Sequence, residues 1–449
     1  LRIVLALLIP LAFWEAWAIT PGGDYYKPMD FAMYYTAGKM FIRGMNPYDR
    51  IHAEDVWDQA DPKSDFYDVM DFVFGPNTYD PSQPGAHWLP VNLIPPAFVV
   101  TAPFALLNVP AAWTAWNIVI GLLLAGQLFA ITRLMNRPFW DAATLGLIII
   151  ELLMDPLHVG LANGQPAVPA IALTIISLWL MKIDKQKLAG IALAIATALK
   201  PQLAGPFVIY FLWQRKYKAV GTAAVTGLVL FLIAVVPLQI RGIHWLGNWM
   251  EEVNYAERPG GINDARVHNI GRQDMIHLQI LLHIITDDAR QINAMAAILV
   301  CCFAGILLSK ATNQKDQLAP LAGFATLALL PVYHRMYDAG ILMLVIAWAM
   351  TNLTTRHRWR ATISLVFLSG FFVSQAEYEV IFQGWEAKVW ILQSWWFNLF
   401  LEPHYSLQLL GIFFSILSAV WVDAASEKAP VDPALELHYD HNRGELSTA

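Results

Sequence analysis

The sequence predicts an all-α, polytopic integral membrane protein with about twelve transmembrane helices. Of 449 residues, 57% are hydrophobic and only 14% are charged, where a soluble globular chain carries about 25% charge. Apolar runs of about twenty residues, the length a helix needs to cross a bilayer, recur from end to end between charged boundaries. Lys and Arg gather in clusters between these runs, so charge is sorted by side rather than pooled. The net charge of -6 therefore gives no basis for a nucleic-acid partner, and membrane lipids are the expected surroundings.

Assigning the basic clusters to the cytoplasm fixes the topology by parity. They are Arg133/Arg137, Lys182/Lys185/Lys187, Arg215/Lys216/Lys218, Lys310/Lys315 and Arg356/Arg358/Arg360. The chain opens at Leu1 inside an apolar run without Met, so its natural N-terminus is expected further upstream. That run reads as a span and not a signal peptide, since no small-residue cleavage site follows. A polar first extracytoplasmic loop occupies 20–90. Of the next two apolar runs, parity allows one crossing. The run 91–107 follows Pro90 and carries Pro95, Pro96 and Pro103, which disfavour a regular span; it is read as interfacial or re-entrant, and 111–132 as the span.

From there the chain goes out along 139–156 and back along 167–181, exposing His158 to Gln165. The apolar run after Lys187 is broken at Lys200-Pro201. One crossing here would invert everything that follows, whereas two keep the charge rule and put Lys200 at the outer turn. Each half is then about 13 residues, roughly 20 Å against a hydrocarbon core near 30 Å. The turn should thus sit in a recess below the outer headgroups, a place suited to a lipid phosphate. Segment 219–238 leads to a second large extracytoplasmic loop, 239–290, and 291–309 returns. Segments 318–333 and 339–355 flank the outer turn YHRMYD (333–338). Segment 361–375 goes out, a Trp-rich stretch (Trp385, Trp390, Trp395, Trp396) lies at the interface, and 405–423 returns. Residues 1–423 form one transmembrane domain, and 424–449 a loosely ordered cytoplasmic tail. No internal repeat or soluble domain is evident.

The remaining motifs are mostly negative. Cys301 and Cys302 are adjacent in an apolar run and read as core residues. His244, His268, His277 and His283 lack tight metal-ligand spacing, so no metal is expected. No phosphate-cradling glycine loop or HExxH occurs, and the Asn352 sequon falls on the cytoplasmic side.

Under this topology one face collects Asp30, Asn163, Gln165, Lys200, His334, Arg335 and Asp338. Charges at span ends facing a bundle are costly unless paired or solvated, which makes them functional candidates. Asp30, shortly after the first span, can act as a general base, or it is a helix cap in an acid-rich loop. Tyr34, Tyr35 and the Asn46-Pro47-Tyr48-Asp49 turn form either a sugar-binding wall or a packed turn. Lys200 can hold a phosphate as a compact point charge, or it snorkels to the headgroups. Asn163 and Gln165 suit hydroxyl recognition or helix capping. His334 and Arg335 can neutralise a leaving phosphate, or they mark the end of a span.

Four stretches resemble glycosyltransferase family 87, the GT-C-fold mannosyltransferases that use polyprenyl-phosphate sugars. They are DFAMYYTAGKMFIRGMNPYD (30–49), WLPVNLIPPAFVVTAPFALL (88–107), NGQPAVPAIAL (163–173) and AGIALAIATALKPQL (189–203), in family order. YHRMYD stands where the family has an outer-face histidine, and HNIGRQDM (268–275) only loosely resembles its Asn-Ser segment. The resemblance implies a GT-C fold and an inverting transfer, with mannose the expected sugar. Asp30 would deprotonate an acceptor hydroxyl, and polyprenyl phosphate would depart against Lys200 with His334 or Arg335 assisting. Tyr34, Tyr35, Asn163, Gln165 and Gln202 would contact substrate. The implied partners are a polyprenyl-phosphate sugar donor and an envelope glycolipid or glycan acceptor on the extracytoplasmic face, with no cofactor and no nucleotide sugar. Three alternatives stay open: a flippase or transporter of a lipid-linked saccharide, a GT-C transferase of a pentose or aminosugar, and a catalytically inactive scaffold.

Overall fold

The computed structural model describes residues 2–19, 28–49, 91–266, 269, 272, 275–311, 317–372 and 403–426. The Trp-rich stretch, most of the first outer loop and of HNIGRQDM, and the tail after Ser426 lie outside the described residues. Within them the regular structure is helical, apart from one isolated bridge between Met275 and Arg335.

The chain opens with α1 (Arg2–Ile19) and α2 (Met29–Arg43). Helix α2 stops at Gly44, whose φ of 76° lets its N–H reach Phe41 O at 3.0 Å while Met45 N reaches Met40 O at 2.9 Å, a Schellman closure. Helix α3 (Pro95–Ala105) opens on two prolines, where no N–H is needed. Helix α4 (Val109–Leu134) is capped by the Asn108 side chain, which accepts from Ala111 N at 3.0 Å. Helices α5 (Ala142–Leu153) and α6 (Asp155–Ala162) meet at a 50° bend, where Met154 is extended ahead of Asp155-Pro156. Helix α7 (Ala167–Lys182) follows a glycine turn. Helices α8 (Gln186–Leu199) and α9 (Pro201–Trp213) are separated by Lys200 alone. Its ψ of 82° reflects the extended conformation that a following proline imposes.

Next come α10 (Tyr217–Ile240), α11 (Trp245–Glu257), the short α12 (Leu278–Leu282) and α13 (Ala289–Ala311). Helix α14 (Leu318–Ala328) is followed by a 3-10 turn (Met336–Leu342) running into α15 (Met343–Asn352). Helices α16 (Arg358–Leu368) and α17 (His404–Ser426) complete the described chain.

Among the described residues, four helices, α4, α10, α13 and α17, are long and apolar enough to cross a membrane, and a fifth if α5 and α6 form one bent span. The expected count of about twelve therefore differs from what helix length alone supports. The other expected crossings fall largely on apolar helices of 10–17 residues, among them α7, α8 and α14, and α3, read as interfacial or re-entrant, is also of that length. A physical distinction separates the two sets. The long helices α10 and α13 are the most exposed, with 22% and 17% of their apolar windows buried. Helix α10 presents Val225, Leu228, Val229, Leu232 and Ile233 outward, a stripe that only lipid or a partner can cover. The short helices α14 and α15 are almost wholly buried. A helix facing lipid must satisfy its backbone over its full length, whereas one enclosed by protein can stop short where its ends line polar space. Cys301 and Cys302, read from sequence as core, are both exposed, because α13 is peripheral and its apolar surface faces outward.

The largest buried cluster runs through α7, α8, α9, α14, α15 and α17, with Trp348 at 0% exposure within it. Helix α8 packs against both α7 and α10. The approach to α10 is close because Gly190 faces it. A Cβ there would meet Ala219 O at 2.4 Å, Thr222 Cβ at 2.9 Å and Ala223 N at 3.0 Å, the small-residue contact common between membrane helices. Gly190→Ala is expected to cost about 1–3 kcal/mol. Gly221→Ala on α10, with nothing within 4 Å, should leave stability unchanged or slightly raised. Thermal unfolding in detergent followed by tryptophan fluorescence checks this; equal midpoints for the two variants would contradict the packing.

Candidate functional site

Three interruptions of apolar helices converge on one cavity of about 410 Å³. They are the turn at 163–166 before α7, the break at Lys200, and the 333–338 turn before the 3-10 segment. The first turn of α2 closes the cavity from the side.

The placement of α2 depends on the Asn163-Gly164-Gln165 turn. Phe31 N–H donates to Asn163 O at 3.0 Å. Gly164 has a φ of 65°, and a Cβ there would lie 2.6 Å from both Phe31 Cβ and Trp113 Cζ3. Its carbonyl accepts from Trp116 Nε1 at 3.0 Å. Only glycine allows both the left-handed backbone and this approach. The docked helix is then held on two faces. Phe31, Ala32 and Tyr35 pack with Ala105, Val109 and Trp116, and Met33, Tyr34 and Ala37 pack with Leu93, Ala97 and Phe98. Asp30 is thereby set beside Gln165, whose Nε2 donates to Asp30 Oδ2.

Across the cavity, Lys200 Nζ lies 3.4 Å from Asp338 Oδ1, with both side chains almost fully buried. The ammonium also stands 4.9 Å from the centre of the Tyr337 ring, a cation–π contact. Asp338 Oδ2 accepts from His334 Nδ1 at 3.0 Å and from Arg335 N–H at 3.3 Å. The Arg335 guanidinium donates to Tyr333 Oη and, at 2.7 Å, to Ile262 O. The 275–278 segment braces this turn: Ile276 N donates to His334 O at 3.1 Å and Leu278 N to Leu330 O at 3.0 Å.

Burial raises the Asp30 carboxyl above its ordinary 3.8. The Gln165 hydrogen bond and the Lys200 and Arg335 charges oppose that rise, and Asp338 adds to it. Burial and the Asp30 charge also hold the Tyr34 phenol well above its ordinary value, so Tyr34 stays a hydrogen-bond donor. A buried carboxylate beside two cations can accept a proton while an anion is stabilised close by. Among the described residues, no group of three or more His, Cys, Asp or Glu is arranged to hold a metal ion.

Of the residues expected from sequence, Asp30, Tyr34, Asn163 and Gln165 line the cavity on one side. Lys200, Gln202 and Arg335 line it on the other. Two are placed elsewhere. Tyr35 turns away from the cavity and donates to Leu107 O at 2.7 Å, because successive residues of a helix point about 100° apart and Tyr34 takes the inward position. His334 is fully buried behind Asp338 and does not line the cavity. Sequence reasoning counted Asp338 among the outer-face candidates without a specific role, although its spacing four residues from His334 was the available signal. It also missed the wall formed by Trp249, Asn92 and Asn263. Trp249 Nε1 donates to Asn92 O at 3.1 Å, and Glu252 Oε2 accepts from Val91 N at 3.1 Å. These contacts fix α11, in the segment read as an outer loop. The spacing of Trp245, Trp249 and Glu252 marked a one-sided helix there.

Removing Asp338 alone would leave Lys200 buried without a counterion, at a cost of about 3–5 kcal/mol. Asp338→Ala should therefore lower the thermal midpoint in detergent strongly, and the double variant Lys200→Met/Asp338→Ala should recover much of the loss. A double variant as unstable as the single one would show that the ion pair is not the source.

The family model described as Glycosyltransferase family 87 matches residues 95–374, more than half of the chain. The matched stretch contains the Asn163-Gly164-Gln165 turn, the Lys200 break and the 333–338 turn. It begins after Asp30, which joins these elements through Gln165 and Asn163. No curated protein and no solved structure matches the chain. A chain matched over most of its length, with its membrane-helix breaks gathered on one polar cavity, belongs to glycosyltransferase family 87 and is an enzyme of that transferase class.

Proposed function

We propose that the protein transfers a sugar, with mannose as the expected one, from a polyprenyl-phosphate donor to a hydroxyl of an envelope glycolipid or glycan, with inversion. The observation that carries this reading is the shared cavity of Asp30, Lys200 and Arg335, which pairs a proton acceptor with two cations. Its volume lies within the range typical of small-molecule sites, roughly 300–1,000 Å³.

In the proposed step the acceptor oxygen forms a bond to C1 as the bond from C1 to the phosphate oxygen breaks. The acceptor proton passes to the Asp30 carboxylate, and the phosphate leaves with the electron pair toward Lys200 and Arg335. Among the described residues, the Lys200 ammonium makes one side-chain ion pair, with Asp338, so the other N–H groups are available to the phosphate. Asp338 acts as a positioning residue for that ammonium, with His334 holding Asp338. Tyr34, Asn163, Gln165 and Gln202 supply hydroxyl-directed donors and acceptors. The topology that fits is the twelve-crossing GT-C arrangement of 1–423, with the short helices as crossings enclosed by protein and the cavity on the extracytoplasmic face.

The test is transfer by purified protein in detergent from radiolabelled polyprenyl-phosphate mannose to a pool of envelope glycolipids. Asp30→Asn and Asp30→Ala should each lose about two orders of magnitude or more. Transfer surviving in both would remove Asp30 from the mechanism. Absence of transfer by the wild type from mannose, pentose and aminosugar donors would favour movement of a lipid-linked saccharide instead.

The pH dependence has a definite sign. Asp30 must be ionised to accept a proton, and its pKa is raised, so the acid limb of kcat/KM should lie above the ordinary carboxylate range. Gln165 stabilises the ionised form. Gln165→Leu should move that limb further up, by about one to two pH units for a hydrogen bond to a charged group. An acid limb that stays in place would detach Gln165 from the base.

A further inference from the structure

A second cavity, of about 730 Å³, lies at the opposite ends of the helices that build the first. Helix α7 begins next to Gln165 and ends at Lys182, and α9 begins at Pro201 and ends next to Gln214. Sixteen and thirteen residues of helix separate the two cavities by roughly 20–24 Å at 1.5 Å per residue. The second cavity therefore opens near the other membrane face and is distinct from the first.

Its lining is amphipathic. Leu134, Leu178, Met181, Phe211 and Leu321 form an apolar wall, and Arg137, Lys182 and Lys216 bring three cations. Among the described residues, no carboxylate lines it. Lys182 is engaged: its ammonium donates to Arg133 O at 2.6 Å, Leu134 O at 3.2 Å and Asn136 Oδ1 at 2.5 Å, closing the end of α4. Arg137 and Lys216 differ, since neither side chain forms a hydrogen bond or ion pair with another described residue. Beside them, Gln214 Nε2 donates to Tyr210 Oη at 2.9 Å and Gln317 Oε1 at 3.1 Å. The first residue of α14, Leu318, also lines this space. The rule that cations gather on one side of a membrane protein accounts for their side. It does not account for a concave site with two cations that no described residue pairs, set against an apolar wall.

We propose that this second cavity binds the phosphate group of an anionic amphiphile, with the phosphate between Arg137 and Lys216 and the hydrocarbon chain along the Leu134, Met181 and Leu321 wall. Basic pockets between helices at a membrane face hold lipid headgroups by this combination. Inorganic phosphate offers the same polar chemistry without the chain. The inference stands apart from the transfer reaction, because none of its residues lines the first cavity.

Native mass spectrometry of the full chain in detergent tests it, with phosphatidylglycerol, phosphatidylcholine and inorganic phosphate as probes. The wild type should retain phosphatidylglycerol over phosphatidylcholine by about tenfold or more, and Arg137→Gln/Lys216→Gln should erase that preference. Lys187→Gln/Lys218→Gln removes the same charge from exposed positions outside the cavity and should preserve it. Leu321→Trp, which fills the apolar wall without changing charge, should weaken lipid retention and serves where the charge variant fails to fold. Displacement of the lipid by millimolar inorganic phosphate would show that phosphate alone suffices; retention against it would show that the chain is required. Equal retention of the two lipids by the wild type, or an equal loss in the two charge variants, would overturn the proposal.

Discussion

The buried pairing of Lys200 with Asp338 is the constraint on which this architecture turns. Each charge would be expensive alone in an apolar interior, and together they are tolerated only in good geometry with further hydrogen bonds. The structure supplies that geometry from two distant segments. Lys200 is fixed by the Pro201 break between α8 and α9, and Asp338 by the His334 ring and the Arg335 backbone. Breaking a helix in a membrane also exposes N–H and C=O groups, which lipid cannot satisfy. Gathering the Lys200 break, the 163–166 turn and the 333–338 turn around one polar space meets both needs at once. The cavity is thus the place where a membrane helix bundle can interrupt itself.

The same logic explains what was legible in the sequence. The long helices α4, α10 and α17 were readable because each must satisfy its own backbone across lipid, so hydropathy and length carry the whole signal. The Lys200-Pro201 break was readable because proline restricts its predecessor and lysine in an apolar run demands a reason. Helices α14 and α15 gave a weaker signal. They are shielded by protein, so their lengths follow from where the 333–338 turn sits and not from bilayer thickness. The cysteines failed for a related reason: on α13 an apolar surface faces outward, and apolar character alone does not separate protein core from lipid contact.

Within the site, charged residues were easier to find than their supports. Asp30, Lys200 and Arg335 stand out in an apolar chain, and the structure brings all three to one cavity. What hydropathy could not distinguish was which of two neighbouring tyrosines faces inward. Tyr34 and Tyr35 sit on the same short helix, and its rotation is set by Gly164 against Phe31 and Trp113, a contact between segments over 130 positions apart. The wall from α11 was hidden because an amphipathic helix in a polar stretch resembles a loop when only apolar runs are being counted.

Asp30, which lines the cavity, and Asp338, which pairs with Lys200, are not interchangeable. Asp338 already receives His334, the Arg335 backbone N–H and the Lys200 ammonium, so its ionised form is stabilised from three directions. Asp30 has Gln165 and the more distant cations, and burial raises its affinity for a proton. Environments that separate two acids in this way assign them different tasks. In the proposed transfer the proton therefore goes to Asp30, while Asp338 stays ionised and keeps Lys200 oriented. Exchanging those tasks would require Asp338 to give up Lys200 at the moment when the departing phosphate most needs that cation.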